Sequence, residues 1–258
     1  EGKSKEQLKP DSLADKWILT KLQKTIQEAE KHMESLEFSE AGNKIYEFLW
    51  NDFADWYIET SKESVNLAVI KYTLESVLKL AHPFIPFVTE EIWSKIHGSA
   101  KNQMLMIQDW PQYDKKMVFP KEAKEFELIK EFIYQIRNFR AEHKIPHQQK
   151  INVMCQGPKQ NMLKKNEKII LKMGGLETIS YGQPKTITGT LSGLDFYIEY
   201  KQDIAVKQKQ IKEISQYIQA IENKLKNKNF INKAPASVVE QEKNKLAEQK
   251  AKLNKLID

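Results

Sequence analysis

Apolar residues fall three and four apart along most of the chain, the spacing of one helix face. Leu13, Trp17, Leu22, Ile26, Ala29, Met33 and Leu36 form the first such stripe, with Ser12 as N-cap and Asp15 at the acid position of a capping box. A second helix is expected from about 40 to 61, carrying Ile45, Phe48, Leu49, Phe53 and Trp56. A third, about 64–81, carries Leu67, Ile70, Leu74, Val77, Leu78 and Ala81. Pro83 and Pro86 interrupt the pattern, and a helix resumes through Val88, Ile92, Trp93 and Ile96 until His97-Gly98-Ser99. Residues 99–120 have no period and read as a connection. A helix over about 121–143, with Phe126, Ile129, Ile133 and Ile136, ends at Ile145-Pro146. None of these helices is apolar all round, so each must bury its stripe on the others: an α-bundle. Trp50, Trp56 and Trp93 are expected in its core.

The period then changes. Residues 150–155 read as a strand and 159–173 as a helix stopped by Gly174-Gly175. Residues 176–181, 185–191 and 194–200 read as short strands between Gly/Pro turns. Beyond Ile204 the spacing becomes heptad-like: Ile211, Ile214, Ile218, Ile221 and Leu225, then, past Ala234-Pro235-Ala236, Val239, Leu246 and Leu253. Ser237 and Glu240 suggest a capping box for the second of two helices, each about 30 Å long at 1.5 Å per residue. The expected architecture is mainly α: a tail over 1–12, a helical bundle over 13–146, a small α+β unit over 147–200 and an antiparallel coiled-coil hairpin over 201–258.

Charge sharpens this picture. The 258 residues hold 41 basic and 35 acidic side chains. Of these, 13 lysines and 7 acids lie in 201–258, so the first 200 residues, with 28 of each, are neutral and the hairpin carries the whole excess of +6. A basic arm suits a polyanion, and lysine suits unspecific phosphate contact; the plainer alternative is that lysines simply solvate a coiled coil. The single cysteine, Cys155, excludes an intramolecular disulfide and a Cys-rich zinc site and is expected in the core. A reducing, cytoplasmic setting is the expectation, and no run of 18 apolar residues suggests a membrane span. The chain starts at Glu1 rather than Met and has no signal-peptide pattern, so it reads as a fragment or processed product. His32, His82, His97, His143 and His147 make no metal spacing, and there is no P-loop, GxGxxG or Gly-Ser elbow. Asp52 and Asp55 share a helix face and read as a solvated or salt-bridged pair. No catalytic constellation and no metal site is expected.

Asp15-Lys16-Trp17-Ile18-Leu19, Phe48-Leu49-Trp50-Asn51-Asp52-Phe53-Ala54-Asp55-Trp56-Tyr57 and His82-Pro83-Phe84-Ile85-Pro86-Phe87-Val88-Thr89-Glu90-Glu91-Ile92-Trp93, in this order, resemble the helical anticodon-binding domain of the valine, isoleucine and leucine group of class I aminoacyl-tRNA synthetases. Asn229-Phe230-Ile231-Asn232-Lys233-Ala234-Pro235-Ala236-Ser237-Val238-Val239-Glu240 resembles the turn of the coiled-coil arm of the valyl-tRNA synthetase family. Ile136-Arg137-Asn138-Phe139-Arg140-Ala141-Glu142 through Ile145-Pro146 is similar to the family's junction helix. The resemblance implies that the bundle holds the anticodon stem-loop of tRNA(Val) and the arm lies along the tRNA's outer corner. It also implies a monomer that works with the rest of a synthetase chain. Valylation, with its ATP and Mg2+, would belong to a catalytic domain whose HIGH and KMSKS motifs, like the editing domain, are absent here; this chain itself would take no cofactor. The family has a further helix ahead of the Asp15 helix, so its lack would leave the first helix unpaired on one side, or paired with something outside these residues. An isoleucyl or leucyl fragment is an alternative, although the isoleucyl Cys-rich zinc module is missing; a stand-alone coiled-coil interaction module is another.

Unstacked bases need planar groups, base edges need polar groups, and phosphates need cations. In the bundle, Lys16, Lys21 and Lys24 are candidates for phosphate. Phe87, Thr89 and Glu90, at a helix start, and Arg137, Asn138 and Arg140 are candidates for the anticodon loop. In the arm, Lys224, Lys226, Lys228, Lys233, Lys243, Lys245, Lys250 and Lys252 form the phosphate-binding pool, and Phe230 either pins the turn or stacks on a base.

Overall fold

A computed structural model describes residues 8–62, 64–98, 103–146, 148–184, 186–200, 204–227 and 235–257, with all of their side chains except those of 204–210, 236, 252 and 255–257. The chain divides into two compact units, Glu1–Glu199 and Tyr200–Asp258.

In the first unit, α1 (Leu13–Glu34) begins at the expected capping box. Ser12 Oγ accepts from the Asp15 N–H at 3.0 Å, and Asp15 Oδ2 accepts from the N–H groups of Ser12 and Asp11. The same carboxylate takes the Tyr57 hydroxyl at 2.6 Å and the Asn66 amide at 3.0 Å, so one cap ties three segments together. Asn66 in turn caps α4 (Leu67–Ala81). α1 is buried over most of its circumference: Trp17, Ile18, Leu19, Leu22 and Ile26 are inaccessible, while one face, Lys24, Gln27, Lys31 and Glu34, is exposed.

The expected second helix is α2 (Phe38–Glu47), a wide π-helical stretch Phe48–Ile58, and a closing turn α3 (Glu59–Ser61). Its buried positions recur every fourth residue, at Phe48, Asp52, Trp56 and Thr60 and at Phe53, Tyr57 and Ser61, slower than the 3.6 of an α-helix. The wider turn accommodates that period. α5 (Pro86–His97) starts with proline at its first turn. It buries Thr89 and Trp93 but leaves Val88, Ile92 and Ile96 exposed, so the expected apolar stripe is only half covered. Trp93 packs with Leu78 and Leu105 and donates its indole N–H to the Gln103 carbonyl. The connection carries two short 3-10 turns, Leu105–Ile107 and Lys115–Met117, and is pinned to α1 where Asp114 N–H donates to Gln23 Oε1 and Phe119 N–H to Thr20 Oγ1.

α6 (Pro120–Glu142) serves two cores. Phe126 meets Trp17 in the bundle, with ring centroids 4.5 Å apart, and Phe132 meets Phe196 of the sheet edge-on at 5.2 Å. The sheet has the order β2-β1-β4-β3 over β1 (Ile151–Gln156), β2 (Leu176–Tyr181), β3 (Gly189–Leu191) and β4 (Leu194–Glu199). β1 and β2 are parallel and joined by α7 (Gln160–Lys165) and α8 (Glu167–Gly174), which replace the single helix expected over 159–173. Gly175 ends α8 in the left-handed region, as its sequence position requires. The expected strand 185–191 pairs only over its last three residues. Ile151, Val153 and Cys155 alternate inward with Leu194, Phe196 and Ile198. Burial pushes the Cys155 thiol up to about 12. Cys155 should therefore resist a thiol reagent at pH 8 in the native protein and react rapidly once urea unfolds it, a difference mass spectrometry reads directly.

In the second unit, α9 (Ile204–Lys226) and α10 (Ala236–Ile257) pack on each other. Ile218 and Ile221 are buried, and Ile211, Ile214, Leu225, Val239, Leu246 and Leu253 are half-buried along the predicted seam. Ser237 lies inside the first turn instead of capping it; the Pro235 carbonyl accepts from the Val238 and Val239 N–H groups.

Candidate nucleic-acid interface

A cation paired with a carboxylate must share or give up that partner to meet a phosphate, a small cost at the surface and a larger one where the pair is buried. Lys16 is held by Glu122 at 3.0 Å and Lys21 by Asp52 at 3.1 Å and Glu127 at 3.6 Å. Burial alone would lower the Lys21 pKa, but the Asp52 and Glu127 carboxylates more than offset it and hold it above the ordinary lysine value. These two side chains tie α1 to its neighbours and are not free phosphate ligands. Lys24 is the exception: exposed, with only a loose i,i+4 contact to Glu28 at 3.5 Å.

The double-proline corner divides similarly. Phe87 is 89% exposed. Thr89 is buried, its hydroxyl bonded to the Ile85 and Pro86 carbonyls and to His82 Nδ1, so it braces the corner. Both Glu90 oxygens accept from the Leu105 N–H, at 3.0 and 3.1 Å, so this carboxylate anchors the connection.

Of the two arginines, Arg140 is buried and donates to the carbonyls of Gly175, Pro146 and Gln149. Its burial lowers its pKa from the ordinary arginine value. Arg140 locks α6 to the sheet unit. Arg137 donates to the Met173 carbonyl at 3.0 Å and lies 5.3 Å from the Trp56 ring centroid, on the rim of a cleft of about 530 Å³ shared with Asp55, Glu59, Tyr134 and Lys172. Asn138 is exposed one residue on.

In the arm, Lys224 pairs with Glu242 at 3.3 Å and Lys250 with Glu222 at 2.7 Å, both across the two helices; Lys245 also reaches Glu242. The Lys250 and Lys224 ammonium groups, as hydrogen-bond donors, lower the Glu222 and Glu242 pKa values. These lysines staple the hairpin while remaining about half exposed. Lys226 and Lys243 are exposed and make no ion pair among the described residues. Lys228, Phe230 and Lys233, and the Lys252 side chain, lie outside the described residues.

Sequence reasoning assigned Trp50 to the core, yet it is 56% exposed and parallel to within 1° with the ring of Tyr46, itself 63% exposed. The signal was present: Asn43, Tyr46 and Trp50 fall together about a third of a turn from the Ile45/Phe48/Leu49 stripe.

Residues 15–155 match the family profile described as the anticodon-binding domain of tRNA ligase. The chain belongs to this family. Residues 202–258 match the valyl tRNA synthetase tRNA binding arm. Among full-length proteins, the chain is 35% identical to a valine–tRNA ligase of Thermotoga maritima, 34% to one of Borreliella burgdorferi and 33% to one of Petrotoga mobilis. Each match takes in 94–95% of this chain and 30% of the relative. The chain thus spans about 30% of the length of these ligases, and its two matched segments are the anticodon-binding domain and the arm. Among the described residues there is no cluster of three or more His, Cys, Asp or Glu able to hold a metal, and no helix long and apolar enough to cross a membrane.

Proposed function

We propose that this chain is the tRNA-holding part of a valine–tRNA ligase. The bundle receives the anticodon stem-loop of tRNA(Val). The basic hairpin lies against the tRNA's outer corner through phosphate contacts. Valylation with ATP and Mg2+ takes place on a catalytic domain outside these 258 residues, and the chain itself needs no cofactor. It acts as a monomer in the cytoplasm.

The observation that carries this reading is the pairing, in one chain, of an anticodon-binding match over 15–155 with an arm match over 202–258, within the segment 201–258 that holds the whole net charge of +6. The contact surfaces in the reading are Lys24, Phe87, Arg137 and Asn138 in the bundle and Lys226, Lys243 and the outward faces of Lys224, Lys245 and Lys250 in the arm, with Lys228, Lys233 and Lys252 completing the lysine pool. Binding driven by phosphate contacts releases counterions and weakens steeply with salt. Filter binding of valine-accepting tRNA at 50 and 200 mM salt should show affinity falling by about 10²–10⁴-fold. Salt-independent binding, or none at 50 mM, would overturn the reading.

A further inference from the structure

Tyr46 and Trp50 do nothing for the core. Their rings stand parallel on the solvent side of the rod formed by α2 and the π-helical stretch, with centroids 6.5 Å apart. Bulky aromatic side chains left in water on a rigid rod, on a face other than the one that packs, call for a ligand.

The surroundings narrow its chemistry. Asn43, three residues before Tyr46, is exposed and offers an amide. Lys44 and Glu47 neutralise each other at 3.2 Å between the rings and the helix start. Asn51 is exposed beside Trp50. Two aromatic side chains, at about 150–250 Å² each, offer far less than the roughly 800 Å² that each partner contributes to a stable protein interface. A cation stands at the same level. The Lys21–Asp52 ion pair fixes the antiparallel register of α1 against the rod, which sets Lys24 at the height of the Leu49–Trp50 turn. Flat rings, a neutral amide and one lightly held lysine match a single unstacked nucleotide: a base face, a base edge and a phosphate.

We infer that Tyr46 and Trp50 form a stacking platform for an unpaired base of the RNA loop, with Asn43 meeting the base edge and Lys24 the adjoining phosphate. This rests on the tRNA reading above and assigns one of its contact points. It also accounts for the π-helical stretch, whose wide turns keep Phe48, Asp52, Phe53 and Trp56 buried while Trp50 projects outward.

The test uses the whole chain and an anticodon stem-loop RNA carrying 2-aminopurine at each loop position in turn. With the wild-type chain, one loop position should be quenched on binding. Trp50→Ala should weaken binding about 5- to 150-fold and abolish that quench, while Trp50→Phe restores most of both. Because Trp50 is exposed, the circular dichroism melt of either variant should match the wild type. If the wild-type chain binds no stem-loop at low salt, the tRNA reading itself fails and the platform with it. If the wild type binds and Trp50→Ala binds and quenches equally, the platform is wrong and the tRNA reading stands. If Trp50→Ala leaves RNA binding intact but abolishes self-association in sedimentation, the rings are a protein contact and the proposal is overturned.

Discussion

Replacing Asp52 with alanine is expected to destabilise the bundle by about 3–5 kcal/mol. The reason is the company that this carboxylate keeps. Its two oxygens are taken by two ammonium groups from different helices, Lys130 at 3.1 Å from α6 and Lys21 at 3.1 Å from α1. Lys130 is buried between two indoles, 4.6 Å from the Trp17 ring centroid and 5.2 Å from that of Trp56, and its next carboxylate, Glu127, is 3.8 Å away. Without Asp52 the ammonium stays in a place poor in water with one distant partner, and desolvation is no longer repaid. The loss should lower the melting temperature by roughly 10 °C in a unit of this size. Tryptophan emission is the natural probe, since Trp17 and Trp56 flank the charge. The double substitution D52L/K130M should recover most of the stability, because two apolar groups of similar size leave no charge stranded. A loss below about 1 kcal/mol for Asp52→Ala would show that water reaches Lys130.

The second large effect concerns binding. A chain ending at residue 199 should lose about 10²–10³-fold in affinity for tRNA at moderate salt while its bundle melts unchanged. Residues 1–199 form a compact unit with their own core, so the truncated chain should fold. They are electrically neutral, and Lys16 and Lys21 are already paired with acids. The plot of log affinity against log salt should become shallower by nearly one unit for each arm–phosphate contact removed. Fluorescence anisotropy of labelled tRNA measures both quantities. Undiminished affinity in the truncated chain would place the tRNA contacts on the bundle alone.

These two predictions draw on different kinds of legibility. The arm could be read from sequence because its determinants are local: a heptad seam and a charge excess confined to one segment. The capping box at Ser12 and Asp15, the stop at Gly174-Gly175 and strand β2 were equally local, and all three stand where the spacing put them. The candidate contacts in the bundle were far less legible. Lys16, Lys21, Thr89, Glu90 and Arg140 had the right chemistry for RNA, but each is occupied by a partner inside the protein.

Sequence by itself determined the helices, the small sheet, the hairpin and the address of the positive charge, because periods of 3.6, 2 and 3.5 residues and a running charge count depend only on neighbours along the chain. Only the tertiary structure decided which charged groups are free. Glu122 lies 106 residues from Lys16, and Asp52 lies 78 from Lys130, so no window of sequence contains both members of either pair. It likewise decided that Trp50 faces water: its place beside Tyr46, off the Ile45/Phe48/Leu49 stripe, is legible in the spacing, but whether another element covers that face depends on the packing, which leaves both rings exposed.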